Sequence, residues 1–260
     1  DNITMLDAAS GELAFGTTGK GRMQEVDVLA AAVEYALTPK TLMGKRVLIT
    51  AGPTQEAIDP VRYISNASTG KMGYALVRAC LNRGAEVTLI TGPTHLSLQA
   101  WQTFCPLKIV NVVSSAEMCE ATISAFKQAD ITILCAAVAD FTPCKIADRK
   151  LKKQELSTIN SQLSIELTTT TDIAATLGKE KGEKLLIGFA LETHDEQANA
   201  LRKLQSKNLD MIVLNSLQDS GAGFGVDTNK VTLLYTDGTK KDLPLLLKQE
   251  VADAIIETLH

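Results

Sequence analysis

The chain has 260 residues, of which 45% are hydrophobic and 22% charged, and its formal net charge is −4. That length is enough for one large domain, or one domain with an appendage, built on a real core. The acidic balance argues against a nucleic-acid binder, which carries a basic face, and no apolar run reaches the ~20 residues of a membrane span.

In chain order, the opening DNITMLDAAS lacks an initiator Met and reads as an internal boundary of something longer, with no secretory signal pattern. The stretch GELAFGTTGKGRMQEVD is glycine-rich and shows no strand pattern. Residues 25–37 predict a short helix, and a linker follows near Pro39–Gly44. Short apolar runs at 46–51, 86–91, 108–113, 130–138, 185–190 and 210–215 then alternate with helical patterns at 71–83, 115–129 and 195–206. Nearly continuous apolar strands alternating with helices predict a parallel sheet covered on both faces. After Asn215 the character changes: Asp237-Gly238 between two short runs signals a hairpin, and Leu247, Val251, Ala254, Ile255 and Leu259 have helix spacing. The expected fold is α/β, a Rossmann-like parallel sheet flanked by helices with a small β-hairpin extension.

The segment RVLITAGPTQEAIDPVRYISNASTGKMG, Arg46–Gly73, is the most informative. A buried strand leads through a long polar loop to a glycine-punctuated helix start, where free backbone N–H groups and the positive dipole end suit an anion. A dinucleotide turn would follow Val47–Thr50 at once with GxGxxG, whereas this chain first passes Arg62 and Asn66. Ser68, Gly70 and Lys71 are therefore phosphate-loop candidates, although Ser68 or Thr69 also suits a simple N-cap. CAAVADF, Cys135–Phe141, ends a strand in small residues against which a flat ligand can lie. Asp140 there could accept from a base or ribose, bind magnesium through water, or merely cap a helix. The basic run KIADRKLKK, Lys145–Lys153, is either a solvated face or a flap whose lysine closes over a triphosphate. Lys203 and Lys207, four apart on one helical face, could grip a phosphate chain or simply complement a helix end. The glycine-rich Gly223–Lys230 could be a tight turn only. His95, His194 and His260 form no catalytic arrangement, and five scattered cysteines without a CxxC pair suggest mostly buried free thiols in a reducing cytoplasm.

Taken together, ITAGPTQEAIDPVRYISNASTGKMG, CAAVADF, the KLKK flap, GFALET, KNLDMIVLN and FGVDTNKV resemble, in order, the phosphopantothenate–cysteine ligase family, the carboxy-terminal half of a bifunctional flavoprotein of coenzyme A biosynthesis. The resemblance spans about 45–260. It implies that the carboxylate of 4′-phosphopantothenate attacks the α-phosphate of CTP, releasing pyrophosphate, and that the amine of L-cysteine then displaces CMP. It implies Asn66 in handling the acyl cytidylate, Arg62 in the second half-reaction, and Lys150 as the flap lysine. Ala136, Asp140 and Phe189 would contact the nucleotide, Lys203 and Lys207 the triphosphate, with Gly52, Ser68, Gly70 and Lys71 as phosphate-loop positions. Mg²⁺ would be bound mainly through the phosphates, and a cytoplasmic homodimer is implied, with the late hairpin at its interface. Residues 1–44 resemble the end of the partner half, a flavin-dependent decarboxylase, through Gly19-Lys20-Gly21-Arg22-Met23. Phe15 stands where that half carries a cysteine, and FMN would belong to the decarboxylase half alone, so no decarboxylase activity is expected. Two rivals predict different things. A nicotinamide oxidoreductase needs the missing GxGxxG and an acidic end to strand two, where Thr91-Gly92-Pro93 stands instead. A non-catalytic nucleotide-binding module would bind CTP without turnover.

Overall fold

The fold was analysed in a computed structural model, which describes residues 5–13, 16–152, 164–216, 223 and 225–259. Phe15, Lys153, Phe224 and His260 lie outside the described residues. The chain opens with β1 (Ala9–Glu12), β2 (Thr18–Arg22) and α1 (Val26–Leu37). It continues through β3 (Arg46–Ala51), β4 (Gln55–Ala57), β5 (Tyr63–Ser65), α2 (Lys71–Asn82) and β6 (Glu86–Thr91). Next come α3 (Gln99–Gln102), β7 (Leu107–Asn111), α4 (Ser115–Phe126), β8 (Ile131–Leu134), β9 (Phe141–Pro143) and β10 (Leu167–Thr169). Then follow α5 (Ile173–Glu180), β11 (Leu185–Glu192), α6 (Glu196–Ser206) and β12 (Met211–Ser216). The last elements are β13 (Thr228–Asn229), β14 (Val231–Tyr235), β15 (Lys240–Asp242), β16 (Leu246–Leu247) and α7 (Lys248–Ile256).

Eight strands form the central sheet in the order β15-β14-β12-β11-β8-β3-β6-β7. From β12 to β7 every neighbouring pair is parallel, and β14 and β15 add antiparallel at one edge. The parallel strands are apolar almost throughout because helices cover both faces: Val47, Ile49 and Ala51 of β3 face one core with α2 and α7, while Leu48 faces the other with Met118, Leu177 and Leu204. Burying each such side chain stabilises the fold by about 1.5–3 kcal/mol. Arg83, 7% exposed, ties α2 to α7 by donating from Nη1 to Asp253 Oδ1 at 2.6 Å. Ser114 and Glu117 start α4 with a reciprocal capping box.

Two features differ from the sequence reading, the lead-in and the run 130–138, and two more were not anticipated by it. The glycine-rich lead-in forms the hairpin β1–β2, whose backbone pairing needs no apolar side chains. It does not hang free either: α1 docks through Val28 and Ala31 onto Trp101 and Phe104, and Lys40 Nζ donates to the carbonyls of Thr38 and Asn82. The run 130–138 is a strand only as far as Leu134. Finally, the outer strand β15 exposes Lys240, Lys241 and Asp242, a charged edge of the kind that discourages strand addition. Exposed apolar side chains lie both on the small hairpins β4–β5 and β9–β10 and between them, as Val61, Tyr63, Phe141, Ile146 and Leu167, and just after β15, as Leu245 and Leu247.

Candidate functional site

A cleft of about 680 Å³ opens at the carboxyl ends of β3, β8, β11 and β12. Open parallel sheets place ligands there because the strand ends and helix starts converge on it. Its floor is built where β3 ends. The backbone of Ala137 donates to Gly52 O at 2.9 Å and Thr54 N donates to Ala137 O, so CAAVADF runs alongside the loop after β3 instead of continuing as a strand. Two buried threonines clamp that pairing: Thr50 Oγ1 accepts from Ala136 N at 3.2 Å and Thr54 Oγ1 from Ala139 N at 3.0 Å. The apolar character of 135–139 thus reflects a cleft wall.

The start of α2 forms one side. Its N-cap is Gly70, left-handed at φ 80°, with no side-chain cap. Ser68 Oγ accepts only from Gly70 N, at 3.3 Å. The first-turn N–H groups of α2 therefore keep no side-chain acceptor, which is the arrangement that receives an anion. Gly52 lies beneath this turn, since a Cβ on Gly70 would come within 3.3 Å of Gly52 Cα. Asn66 leans over the floor, its Nδ2 donating to the carbonyls of Ala137 and Val138, both at 3.1 Å. That fixes the amide and leaves Oδ1 facing away from its own donors as a hydrogen-bond acceptor.

Cations come from both layers of the sheet. Lys203 Nζ donates to Glu192 Oε1 at 2.6 Å, Lys207 pairs with Asp172 at 2.9 Å, and Lys71 pairs with Asp227 at 2.7 Å. The Lys71 hydrogen bond holds the Asp227 carboxyl below its ordinary value. Cys135 also lines the cleft, but burial pushes its thiol up to about 12, so it holds no thiolate at neutral pH and is no nucleophile.

Nine of the sequence-predicted residues line this one cleft: Asn66, Ser68, Gly70, Lys71, Ala136, Asp140, Phe189, Lys203 and Lys207. Gly52, Arg62 and Lys150 do not line it. Arg62 instead grips the buried Asp59, with Nε donating to Oδ2 at 2.9 Å, and its Nη2 donates to Leu151 O at 2.9 Å. Asp59 also accepts from Leu151 N at 3.2 Å, so this pair anchors the chain immediately after the exposed Lys150. The Arg62 guanidinium holds the Asp59 carboxyl well below the usual carboxylate range. Among the described residues, no cluster of three or more His, Cys, Asp or Glu could hold a metal ion by itself.

The sequence reading missed Asn215, the loop Thr169–Asp172 and Lys248, all of which line the cleft. One signal for Lys248 was available. It opens a helix, where a cation opposes the dipole, so its presence there calls for another reason.

The family described as "DNA/pantothenate metabolism flavoprotein C-terminal domain" matches residues 42–260. The coenzyme A biosynthesis bifunctional protein CoaBC of Bacillus subtilis is 44% identical over 262 residues, covering all of this chain and 62% of that protein. A "Cysteine/Cysteine sulfinic acid decarboxylase" from an unknown prokaryotic organism is 48% identical over 98% of this chain and 70% of its own length. The crystal structure of the C-terminal domain of a CoaBC protein aligns with a TM-score of 0.69 and 41% identity, covering 85% of this chain and 96% of that one. An uncapped helix start, a backbone-lined floor and lysines from both layers at one sheet edge thus agree with the sequence kinship: this chain belongs to the family of DNA/pantothenate metabolism flavoprotein C-terminal domains.

Proposed function

We propose that the chain ligates 4′-phosphopantothenate to L-cysteine at the expense of CTP, through an acyl cytidylate, in coenzyme A biosynthesis. The observation that carries this reading is Asn66, held by two backbone carbonyls of the floor, beside an uncapped helix start and the Lys203–Lys207 pair. A carboxylate is a poor acylating agent, so it must first become a mixed anhydride. Its oxygen attacks the α-phosphate of CTP and pyrophosphate leaves. The cysteine amine then attacks the carbonyl carbon, and CMP leaves with the oxygen that came from the carboxylate. Such chemistry needs positioning and cations more than a protein nucleophile.

In this reading Ala136, Asp140 and Phe189 hold the nucleoside, while Ser68, Gly70 and Lys71 together with Lys203 and Lys207 hold phosphates, over a turn supported by Gly52. Asn66 Oδ1 steadies the acyl cytidylate, Arg62 serves the second half-reaction, and Lys150 neutralises charge as the phosphate bond breaks. Mg²⁺ would ride on the CTP phosphates, with Asp140 as an oxygen donor reached through water. Residues 45–260 would form the ligase domain, and residues 1–44 would lead in from a decarboxylase half that alone would carry FMN. The decarboxylase named for one relative would then reside in the part of that protein beyond this chain. A cytoplasmic homodimer belongs to the same reading. The late hairpin belongs to its interface in that reading, where exposed Leu245 and Leu247 follow β15, with the exposed apolar hairpins β4–β5 and β9–β10 as a further apolar surface.

The test is pyrophosphate release from CTP and from ATP with 4′-phosphopantothenate and Mg²⁺, with and without cysteine. The expected outcome is release with CTP, much less with ATP, and amide product only with cysteine. Asn66→Ala should lose amide formation by about 10²-fold or more. CTP binding without any cleavage would leave a binding module and overturn the reading.

A further inference from the structure

A second cavity, of about 310 Å³, lies on the outer side of α2, between its side chains Lys71, Tyr74 and Arg78, the loop carrying Leu96 and Leu98, and the start of α7. Spacings of three and four residues put those three α2 side chains on one face. The two arginines of α2 differ in what they meet. Arg83 pairs with Asp253 of α7 and with Glu257 just after it. Arg78 makes no hydrogen bond or ion pair among the described residues, and its Nε is shut away from water without an acceptor. Its guanidinium carbon lies over the Trp101 ring, 5.7 Å from the ring centre, which leaves the in-plane N–H groups to find acceptors elsewhere.

The neighbouring carboxylates are engaged with other groups. Asp253 and Glu257 serve Arg83, and Glu250 Oε2 accepts from Leu247 N. Asp227, on the cavity wall, accepts from Lys71 and also acts electrostatically on Lys248. Three cations, Lys71, Lys248 and Arg78, therefore share this wall with one carboxylate, and the charge left uncompensated is that of Arg78. Tyr74 is 6% exposed, yet its hydroxyl has no hydrogen-bond partner among the described residues. The Oε1 of Gln249, in the same wall, is buried without a donor. A guanidinium fork and a phenolic donor beside Leu96 and Leu98 suit an oxyanion carried on an apolar body.

We propose that this cavity is a second anion site, held by Arg78 and Tyr74, for a small molecule that joins a carboxylate or phosphate to an apolar body, and that its occupation antagonises binding in the main cleft. The antagonism follows because Lys71 and Lys248 line both spaces and cannot serve two anions at once. Only that coupling rests on the reading of the reaction given above. Trp101, the single tryptophan of the chain, reports from beside Arg78. Its emission would be followed while the whole chain and its Arg78→Gln, Tyr74→Phe and Lys207→Ala variants are titrated with benzoate, phenyl phosphate and uncharged benzamide. Saturable binding of benzoate, phenyl phosphate or both is expected, the tighter one naming the oxyanion. Arg78→Gln should weaken it by about tenfold or more and Tyr74→Phe by about threefold, whereas Lys207→Ala, in the main cleft, should leave it within about twofold. No saturable response to either anion would overturn the proposal. Equal binding of benzamide, unchanged binding in both Arg78→Gln and Tyr74→Phe, or an equal loss in Lys207→Ala would also overturn it. At saturating anion, calorimetric titration should show CTP affinity reduced by about threefold or more, a reduction that vanishes in Arg78→Gln. Unchanged CTP affinity would overturn the antagonism. If the chain binds no CTP at all, the reading of the reaction fails, and the Trp101 titration still decides the cavity.

Discussion

The floor of the cleft and its flank are built differently. The floor is made of strand ends and a helix start, locked by Thr50, Thr54 and the paired backbones of Gly52–Thr54 and Ala137–Ala139. The flank, carrying Arg62 and Lys150, hangs from short hairpins held by two buried carboxylates, Asp59 and Glu56, the latter accepting from Ser115 N at 2.8 Å. The groups proposed to grip a nucleotide thus line the cleft, whereas Arg62 and Lys150, proposed for the chemistry, stand outside it. Binding and chemistry should separate by mutation along that line.

The largest effect is expected from the floor. A Cβ on Gly92 would lie 1.7 Å from Pro53 O, a backbone atom that cannot step aside, so Gly92→Ala should cost more than about 3 kcal/mol in thermal unfolding. A variant with unaltered melting would mean the floor is less tightly closed than described. Next, Lys150→Ala should slow pyrophosphate release by about 10²-fold while CTP affinity stays the same, and Lys207→Ala should do the reverse, weakening CTP by about tenfold. Parallel losses in both variants would erase the division between floor and flank. A smaller effect is expected for Asp59→Asn: trypsin should cut after Lys150 or Lys152 several-fold faster, with CTP affinity intact, because the anchor on Leu151 is weakened. The smallest is a matter of rates. Exposed Cys144 should alkylate first, and Cys135, its thiol pushed up to about 12, should react slowly at pH 8 and faster as pH rises. Fast labelling of Cys135 at neutral pH would contradict its half-buried place in the wall.

The sheet was legible because β3, β6, β11 and β12 are short runs rich in Val, Ile and Leu, and α2, α4 and α6 carry helix periodicity between them. Short elements were not: β4, β5, β9 and β10 have three residues each, too few to establish a period. The hairpin β1–β2 was hidden because TGKGR pairs through its backbone alone. In the site, loop residues with distinctive chemistry, such as Asn66 and Arg62, could be picked out one by one. Lys248 and Asn215 could not, since each lies in an ordinary helix or strand and gains meaning only where β12, β13 and α7 converge. Nor could sequence tell that Arg62 faces Asp59 and Leu151 and not the cleft, because that depends on where two hairpins meet.

In the proposed reaction the carboxylate is activated on the α-phosphate of CTP within this cleft. That activation is tested most directly by running the complete reaction with 4′-phosphopantothenate labelled with ¹⁸O in both carboxylate oxygens and weighing the products by mass spectrometry. Attack of the carboxylate on the α-phosphate puts one ¹⁸O in CMP and none in pyrophosphate. Unlabelled CMP, or label in a released phosphate, would show activation by another route and contradict it.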